Sequence, residues 1–421
     1  MLIENKMYGE SYHKIIHPSG LTVLLYPIQE KSTINAMFAT KYGSIHKPVN
    51  TDIPDGIAHF LEHKLFENEQ GDAFTLFAPY GASANAYTSF DRTCYLFSCT
   101  SNFKENLEIL LKFVREPYFT PETVEKEQGI IGQEITMYRD NPGWRVFFGM
   151  LQSMYASHPL RVDFAGTIES ISEINPDLLY KCYKTYYTPA NMVLCVSGGF
   201  DVDDALAVID AVLPIELVSP EAREASAPEA EVFDEQERVA RAYDECSLAV
   251  AQPLFNLGFK LAPVGVGQEA VKAVAELEVL LSVVSSEVSD LYTRLYDEGL
   301  INPEFGAETM FGNGYALAAF SGESKDPAAV ERMVVAELER FKSEGIPADK
   351  FELCKRIAFG GLIRESSSGE AVCSELLQSF VVGAEYFDKA EILANMTLKD
   401  VGSRLRTIDV SNRSLFVVRP L

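Results

Sequence analysis

The chain contains an internal repeat, in which one short segment recurs at an offset of 230 residues, and this repeat constrains its fold more than any other feature. The segment "LEHKLFEN" (61–68) aligns with "LYTRLYDE" (291–298). A strand-like run, a polar turn and an amphipathic helix occur in that order at 94–114 and again at 316–341. Because 421 residues exceed the usual size of one domain, we expect a duplicated unit rather than one continuous core.

Each copy alternates short apolar runs with longer segments of helical periodicity. The runs 21–28 and 33–45 are typical of strands, whereas 102–115, 121–139 and 144–156 have helical spacing. We predict the α+β class, with two duplicated α/β-roll domains. Each domain is expected to place helices on one face of an antiparallel-rich sheet, and the two domains to enclose a chamber.

The boundary between the copies is predicted from composition. The stretch 216–243 is rich in Glu, Ala, Pro and Ser, which is typical of an exposed acidic linker. This places the domains at 1–215 and 244–421.

The two copies differ in their chemistry. The first contains His59, Glu62 and His63 in the pattern H-x-x-E-H, and at the offset of 230 the second has serine, tyrosine and threonine. All six histidines of the chain precede residue 160. Any metal chemistry is therefore predicted in the first half, and the second half is predicted to be its inactive homologue.

His59 and His63 lie one helical turn apart, so both imidazoles can reach one metal ion. Catalytic zinc sites commonly use three protein ligands and a water, and Glu62 is close enough to act on that water as a general base. A motif this short also arises by chance, so a third ligand is needed. The segment "EKEQGIIGQEITMY" offers Glu127 and Glu134, two helical turns apart. From the residues alone, either glutamate could bind the metal, or both could be exposed on an amphipathic helix.

These motifs, with "GASANAYTS" (81–89) between them, resemble the pitrilysin/insulinase-type zinc metallopeptidases. The resemblance covers essentially the whole chain and is strongest for the short, two-domain members similar to mitochondrial processing peptidase and its bacterial relatives. It implies one zinc ion per chain and a role for each of seven residues. These are His59, His63 and Glu134 as metal ligands, Glu62 as the general base, Glu127 as a carboxylate that orients a ligand, and Asn85 and Ala86 as strand-edge residues that hold the substrate backbone.

The second half departs from the family pattern. Family members carry an arginine and a tyrosine there that bind substrate near the metal, whereas this chain has Asp290 and Asn302, with Arg294 nearby but out of register. Some family members divide the zinc site and this pair between two chains. The chain is therefore expected to be the zinc-site subunit of a homodimer, or of a heterodimer with a paralogous subunit. The alternative is a non-catalytic subunit or scaffold that keeps the peptidase fold.

Charge and composition limit the classes of binding partner and the cellular compartment that we expect for this chain. The chain has 36 Lys and Arg against 61 Asp and Glu, a net charge of −25, so nucleic acid and anionic membranes would be repelled. Seven scattered cysteines are typical of reduced thiols in the cytoplasm, and no secretory signal or membrane span is expected. We predict a cytoplasmic, zinc-dependent endopeptidase that hydrolyses peptides or unfolded segments.

Overall fold

The computed structural model describes five stretches of the chain, residues 1–5, 9–47, 52–69, 71–213 and 232–421. They form two compact units, each assembled from three segments of the sequence. The first unit comprises the described parts of Met1–Ile135, Asp163–Glu231 and Arg364–Val381. The second comprises Thr136–Val162, Val232–Ile363 and Val382–Leu421. Each unit combines a β-sheet with helices, which confirms the α+β class.

The first unit is built on a seven-stranded sheet. The strands up to residue 198 are β1 (Leu2–Asn5), β2 (Glu10–Ile16), β3 (Thr22–Pro27), β4 (Ile34–Thr40), β5 (Glu67–Asn68), β6 (Gly71–Asp72), β7 (Ser83–Thr88), β8 (Thr93–Cys99) and β9 (Met192–Gly198). The sheet order is β1-β2-β3-β9-β4-β8-β7, while β5 and β6 form a separate two-stranded antiparallel sheet. Strands β3 and β9 pair in parallel, and the other neighbours in this sheet are antiparallel.

The first half of the sequence forms eight described α-helices, three of which correspond to the segments predicted at 102–115, 121–139 and 144–156. They are α1 (Ile57–Leu65), α2 (Phe74–Phe77), α3 (Phe103–Arg115), α4 (Pro121–Arg139), α5 (Pro142–Met154), α6 (Ile168–Ser172), α7 (Pro176–Tyr186) and α8 (Val202–Val212). Helix α5 belongs to the second unit.

The second unit is built on a five-stranded sheet in the order β10-β14-β11-β13-β12. Its strands are β10 (Tyr243–Leu248), β11 (Leu254–Leu261), β12 (Gly306–Gly312), β13 (Tyr315–Glu323) and β14 (Arg413–Pro420). The remaining described helices are α9 (Gly267–Ser285), α10 (Asp290–Asp297), α11 (Pro327–Glu344), α12 (Ala348–Glu365), α13 (Gly369–Val382), α14 (Asp388–Asn395) and α15 (Leu398–Thr407). Of these, α13 belongs almost entirely to the first unit. None of the described helices is long and apolar enough to cross a membrane. The cytoplasmic location stays a prediction.

The centre of the first sheet is covered on both faces, whereas helices on one face were predicted. Every residue of β4 and β9 is buried. On one face, the ring of Tyr95 lies 5.7 Å from that of Phe113 of α3. On the other, Ser374 of α13 donates to the sulfur of Met37 at 3.9 Å. The physical reason is that "INAMFAT" in β4 is largely apolar in both of its alternating sets, so each face needs a cover.

The compact units exchange segments relative to the sequence order. Helix α13 comes from the second half but covers the first sheet, and α5 comes from the first half but packs on β11 and β14. Gly149 of α5 allows a close approach, because a Cβ there would lie 2.3 Å from the ring of Phe416. The predicted domains 1–215 and 244–421 are each continuous in sequence, whereas each compact unit also includes a segment from the other half. These domain boundaries stay a prediction. Of the predicted linker, 216–231 lies outside the described residues.

The described end of the linker is fastened to the second unit by a buried ion pair. The Glu235 carboxylate accepts hydrogen bonds from Lys260 at 2.8 Å and from the backbone N–H groups of Ala156, Ser157 and His158 at 2.7 to 3.0 Å. Both charged side chains are less than one-tenth exposed. Burial alone would raise the pKa of Glu235, but these hydrogen bonds outweigh it and lower the pKa to about 2.

Removing the charge of Glu235 is expected to destabilise the second unit. Glu235→Gln leaves the Lys260 ammonium buried without a counter-charge, which costs about 3 kcal/mol in the free energy of unfolding. Because the folded pKa lies below the ordinary value, the contribution is complete above about pH 5 and is lost as the pH falls toward 2. Urea unfolding at pH 7 and at pH 3 measures both effects.

The matched control is Glu237→Gln, because Glu237 is exposed and two residues away. It is expected to change stability by less than about 0.5 kcal/mol. Equal stability of wild type and Glu235→Gln at pH 7 would contradict this account of the ion pair.

Candidate metal centre

The helix that carries H-x-x-E-H begins at a position only glycine fits. Gly56 precedes α1 with φ at 91°, and a Cβ there would lie 2.6 Å from the carbonyl oxygen of Ala165. Most of α1 is buried, and it contacts the edge strand β7. His59 and Glu62 are less than one-tenth exposed, and His63 is partly buried. The helix therefore holds the three polar side chains on a rigid, buried support.

The second helix of the site, α4, brings its two glutamates to different atoms of the histidines. Carboxylate oxygens of Glu134 lie 3.8 Å from Nε2 of His59 and 3.5 Å from Nε2 of His63. An oxygen of Glu127 lies 3.0 Å from Nδ1 of His63, on the other side of the ring. Two helical turns separate the glutamates, so one faces the pair of Nε2 atoms and the other lies behind one imidazole.

The donor set suits a catalytic zinc ion. Among the described residues, His59, His63 and Glu134 form the group whose ligand atoms all lie within 4.8 Å of one another. Tetrahedral ligands about 2.1 Å from one metal stand about 3.4 Å apart, close to the nitrogen–oxygen distances observed here. Three protein ligands leave one position for water or substrate, as catalytic zinc requires.

The two histidines differ in their electrostatic surroundings. Burial, reinforced by the neighbouring His63 imidazole, lowers the pKa of His59 to about 3, so this ring is neutral and can offer a lone pair. Burial also lowers the pKa of His63, but the hydrogen bond to Glu127 and the charges of the nearby carboxylates outweigh it and raise the pKa overall. Nδ1–H of His63 donates its hydrogen bond to Glu127, and this bond directs Nε2 of His63 toward Glu134.

Neutralising each glutamate in turn is expected to distinguish the two roles. Glu127→Gln weakens the bond that orients His63, so zinc affinity falls about 10- to 100-fold. If Glu134 is the third ligand, Glu134→Gln replaces a charged carboxylate ligand with a neutral amide, and affinity is expected to fall beyond that range. Chelator competition measures both constants, with Glu125→Gln on the exposed face of α4 as the control. A larger loss for Glu127→Gln than for Glu134→Gln would reverse the assignment.

Glu62 lies beside this group without joining it. Its Oε2 accepts a hydrogen bond of 2.6 Å from the hydroxyl of Thr88. Burial raises the pKa of the Glu62 carboxyl, although the hydrogen bond from Thr88 opposes that shift. A carboxyl with a raised pKa is better matched to proton transfer near neutral pH, which suits a general base.

The predicted substrate-binding residues lie on the edge of the first sheet. Strand β7 is the last strand in the sheet order, and it carries Asn85 and Ala86. Both line a cavity of about 470 Å³ together with Glu62, His63 and Ile130. The side-chain oxygen of Asn85 accepts the N–H of Ala86 at 2.9 Å. The structure thus brings the predicted edge residues to the same cavity as the predicted base and a predicted ligand.

Sequence reasoning missed two parts of this site. One is Thr88, although it stands in the quoted "GASANAYTS" segment; its position two residues after Ala86 puts it on the same face of β7. The other is the aromatic wall of the cavity, where the rings of Phe66 and Phe74 stack at 4.3 Å. No spacing rule connects these two residues to the motif.

The second-half residues that depart from the family pattern all have partners within the second unit. Asp290 forms an ion pair with Lys350 at 3.1 Å, and Arg294 forms one with Glu337 at 2.8 Å. Asn302 donates a hydrogen bond to Glu323 at 2.8 Å.

Comparison with known proteins assigns the family. Residues 23–167 match the family described as Insulinase (Peptidase family M16), and residues 173–358 match the one described as Peptidase M16 inactive domain. YmfH of Bacillus subtilis, described as an uncharacterized zinc protease, is 40% identical over 407 residues, which are 95% of this chain and 94% of that protein. The chain therefore belongs to the pitrilysin/insulinase (M16) family of peptidases.

Solved structures agree with this assignment. An M16-like peptidase from Alicyclobacillus acidocaldarius has a TM-score of 0.91 and 31% identity, with 100% of both chains covered. Pitrilysin has a TM-score of 0.76 and 17% identity, and all of this chain corresponds to 46% of that one. At 17% identity the likeness to pitrilysin concerns the fold alone.

Proposed function

We propose that this chain is a zinc-dependent endopeptidase that hydrolyses peptides or unfolded segments. The observation that carries the proposal is the convergence of His59, His63 and Glu134 beside Glu62, in a cavity bordered by an edge strand. Two relatives are described as zinc proteases, which supports zinc-dependent peptide hydrolysis.

The proposed reaction assigns each residue one task. His59, His63 and Glu134 would hold zinc, which when bound polarises a carbonyl oxygen and lowers the pKa of a water. Glu62 takes a proton from the water that attacks the scissile carbonyl carbon. It then returns that proton to the amide nitrogen as the carbon–nitrogen bond breaks.

The edge of β7 is proposed to align the substrate. An extended peptide can add as a further strand beside β7, with main-chain hydrogen bonds that fix its direction. Ala86 is small enough to let another backbone approach. The side chain of Asn85 occupies the Ala86 N–H and would rotate away to release this donor. With a net charge of −25, the chain favours basic peptides.

We also propose that the chain works as the zinc-site subunit of a paired peptidase, as a homodimer or with a paralogous chain. Asp290 and Asn302 support this, because they replace the arginine and tyrosine that family members use. The second candidate is a non-catalytic subunit that keeps the peptidase fold. The same two replacements favour it, and the retained first-half constellation opposes it.

The test is cleavage of a quenched library of unfolded peptides by the purified chain, with zinc, after chelation and after zinc is restored. Zinc-dependent cleavage by the chain alone supports the peptidase and contradicts the need for a partner. Cleavage only after a co-purified paralogous chain is added supports the paired form. If zinc-loaded protein cleaves no peptide, either alone or with the paralogous chain, the result would favour the non-catalytic subunit.

A further inference from the structure

Thr88 connects two parts of the site that come from different elements. It is the last residue of β7, the strand that carries Asn85 and Ala86, and its side chain is less than one-tenth exposed. Its hydroxyl donates a hydrogen bond of 2.6 Å to Oε2 of Glu62, which lies on α1 and 26 residues away in sequence. The hydroxyl therefore joins the strand edge directly to the carboxylate.

We propose that Thr88 is a positioning residue that fixes the Glu62 carboxylate relative to the substrate-binding edge of β7. The inference rests on the proposed function of Glu62 as the general base. It goes beyond that function, because it assigns a role to a residue outside the proposed metal ligands and the proposed base.

The position of the Thr88 hydroxyl is fixed by the sheet. Thr88 pairs with Thr93 in the antiparallel register of β7 and β8. The hydroxyl oxygens of the two threonines are 3.4 Å apart, and the Thr93 hydroxyl donates to the backbone carbonyl of Tyr42 at 2.8 Å. Because β8 is hydrogen-bonded to β4 on one side and to β7 on the other, the donor to Glu62 is supported by a strand inside the sheet.

The hydrogen bond is compatible with both protonation states of the base. Thr88 donates to Oε2, which leaves Oε1 of Glu62 to gain and release the proton. Oε2 can accept the bond whether or not Oε1 carries a proton. The carboxylate can therefore keep one orientation throughout the reaction, with no rearrangement between the two proton transfers.

The chemical benefit is preorganisation. A peptide that pairs with β7 takes its position from that strand, and Glu62 takes its position from the last residue of the same strand. Base and substrate are then fixed to one support, which favours transfer at hydrogen-bond distance. Loss of the hydroxyl is expected to affect the chemical step rather than substrate binding.

The test compares Thr88→Val, which keeps the shape but lacks the hydroxyl, with Thr88→Ser, which keeps the hydroxyl. We expect Thr88→Val to lower kcat about 10- to 100-fold with KM within about twofold and zinc content unchanged. Thr88→Ser is expected to restore kcat to within about threefold of the wild type. Thr40→Val is the matched control, because Thr40 is a buried last residue of β4 whose hydroxyl donates to the backbone carbonyl of Tyr186 at 2.7 Å. It is expected to leave kcat within about twofold.

A second readout does not depend on activity. In crystal structures of the zinc-loaded proteins, Glu62 is expected in one conformer in the wild type and displaced or in several conformers in Thr88→Val. An unmoved Glu62 in Thr88→Val, or a kcat equal to that of Thr40→Val, would overturn the proposal. If the wild type cleaves no peptide either alone or with a co-purified paralogous chain, the proposed function fails, and the position of Glu62 in the two structures still decides the role of Thr88.

Discussion

Glu62→Gln is expected to abolish measurable peptide cleavage while zinc remains bound. Glutamine has nearly the same shape but cannot accept the proton of the attacking water, and loss of a general base lowers kcat about 10²- to 10⁴-fold. Zinc content is expected to stay at one per chain, because Glu62 is outside the group formed by His59, His63 and Glu134. Steady-state cleavage of a quenched peptide, with metal analysis of the same sample, measures both quantities.

The control for this prediction is Glu69→Gln, an exposed glutamate seven residues away. It is expected to retain the wild-type rate. A Glu62→Gln protein that cleaves at the wild-type rate would show that another group removes the proton. Loss of zinc together with activity would show that Glu62 belongs to the metal-binding group.

His59→Ala is expected to eliminate zinc binding and cleavage together. The His59 ring is buried and its pKa is lowered to about 3, so it is neutral and can offer a nitrogen lone pair to a metal ion. The substitution leaves two ligands from separate helices, and we expect zinc affinity to fall by more than about a hundredfold. Chelator competition measures the affinity, and circular dichroism shows whether the fold persists.

His13→Ala controls for the general effect of removing a histidine, since His13 lies in β2 and outside the metal group. It is expected to keep both zinc and activity. Wild-type zinc affinity in folded His59→Ala would contradict the ligand set.

The elements of the site were predictable because their geometry is local. Helical periodicity predicted a helix at 121–139, and α4 has these bounds. The spacings of four and seven residues then require His59 with His63, and Glu127 with Glu134, to share helix faces. The residues alone did not decide between the two glutamates. That choice depends on how α4 lies against α1, which places Glu134 at Nε2 and Glu127 at Nδ1 of His63.

The parts that sequence reasoning missed depend on contacts between distant segments. The apolar face of a helix does not indicate which sheet it covers. Helix α5 comes from the first half of the sequence and packs in the second unit, and α13 comes from the second half and packs in the first unit. The bond from Thr88 to Glu62 depends on β7 lying against α1. Helices on one face of the sheet were predicted from the general α+β pattern, although the apolar residues in both alternating sets of β4 favour burial on both faces.

Zinc binding by His59, His63 and Glu134 is tested most directly by an anomalous difference map at the zinc absorption edge, from crystals of the zinc-loaded wild type. We expect one strong peak per chain, about 2.0–2.2 Å from Nε2 of His59, Nε2 of His63 and a carboxylate oxygen of Glu134. A peak that lacks any of these three ligands, or no peak at this site, would contradict this ligand set.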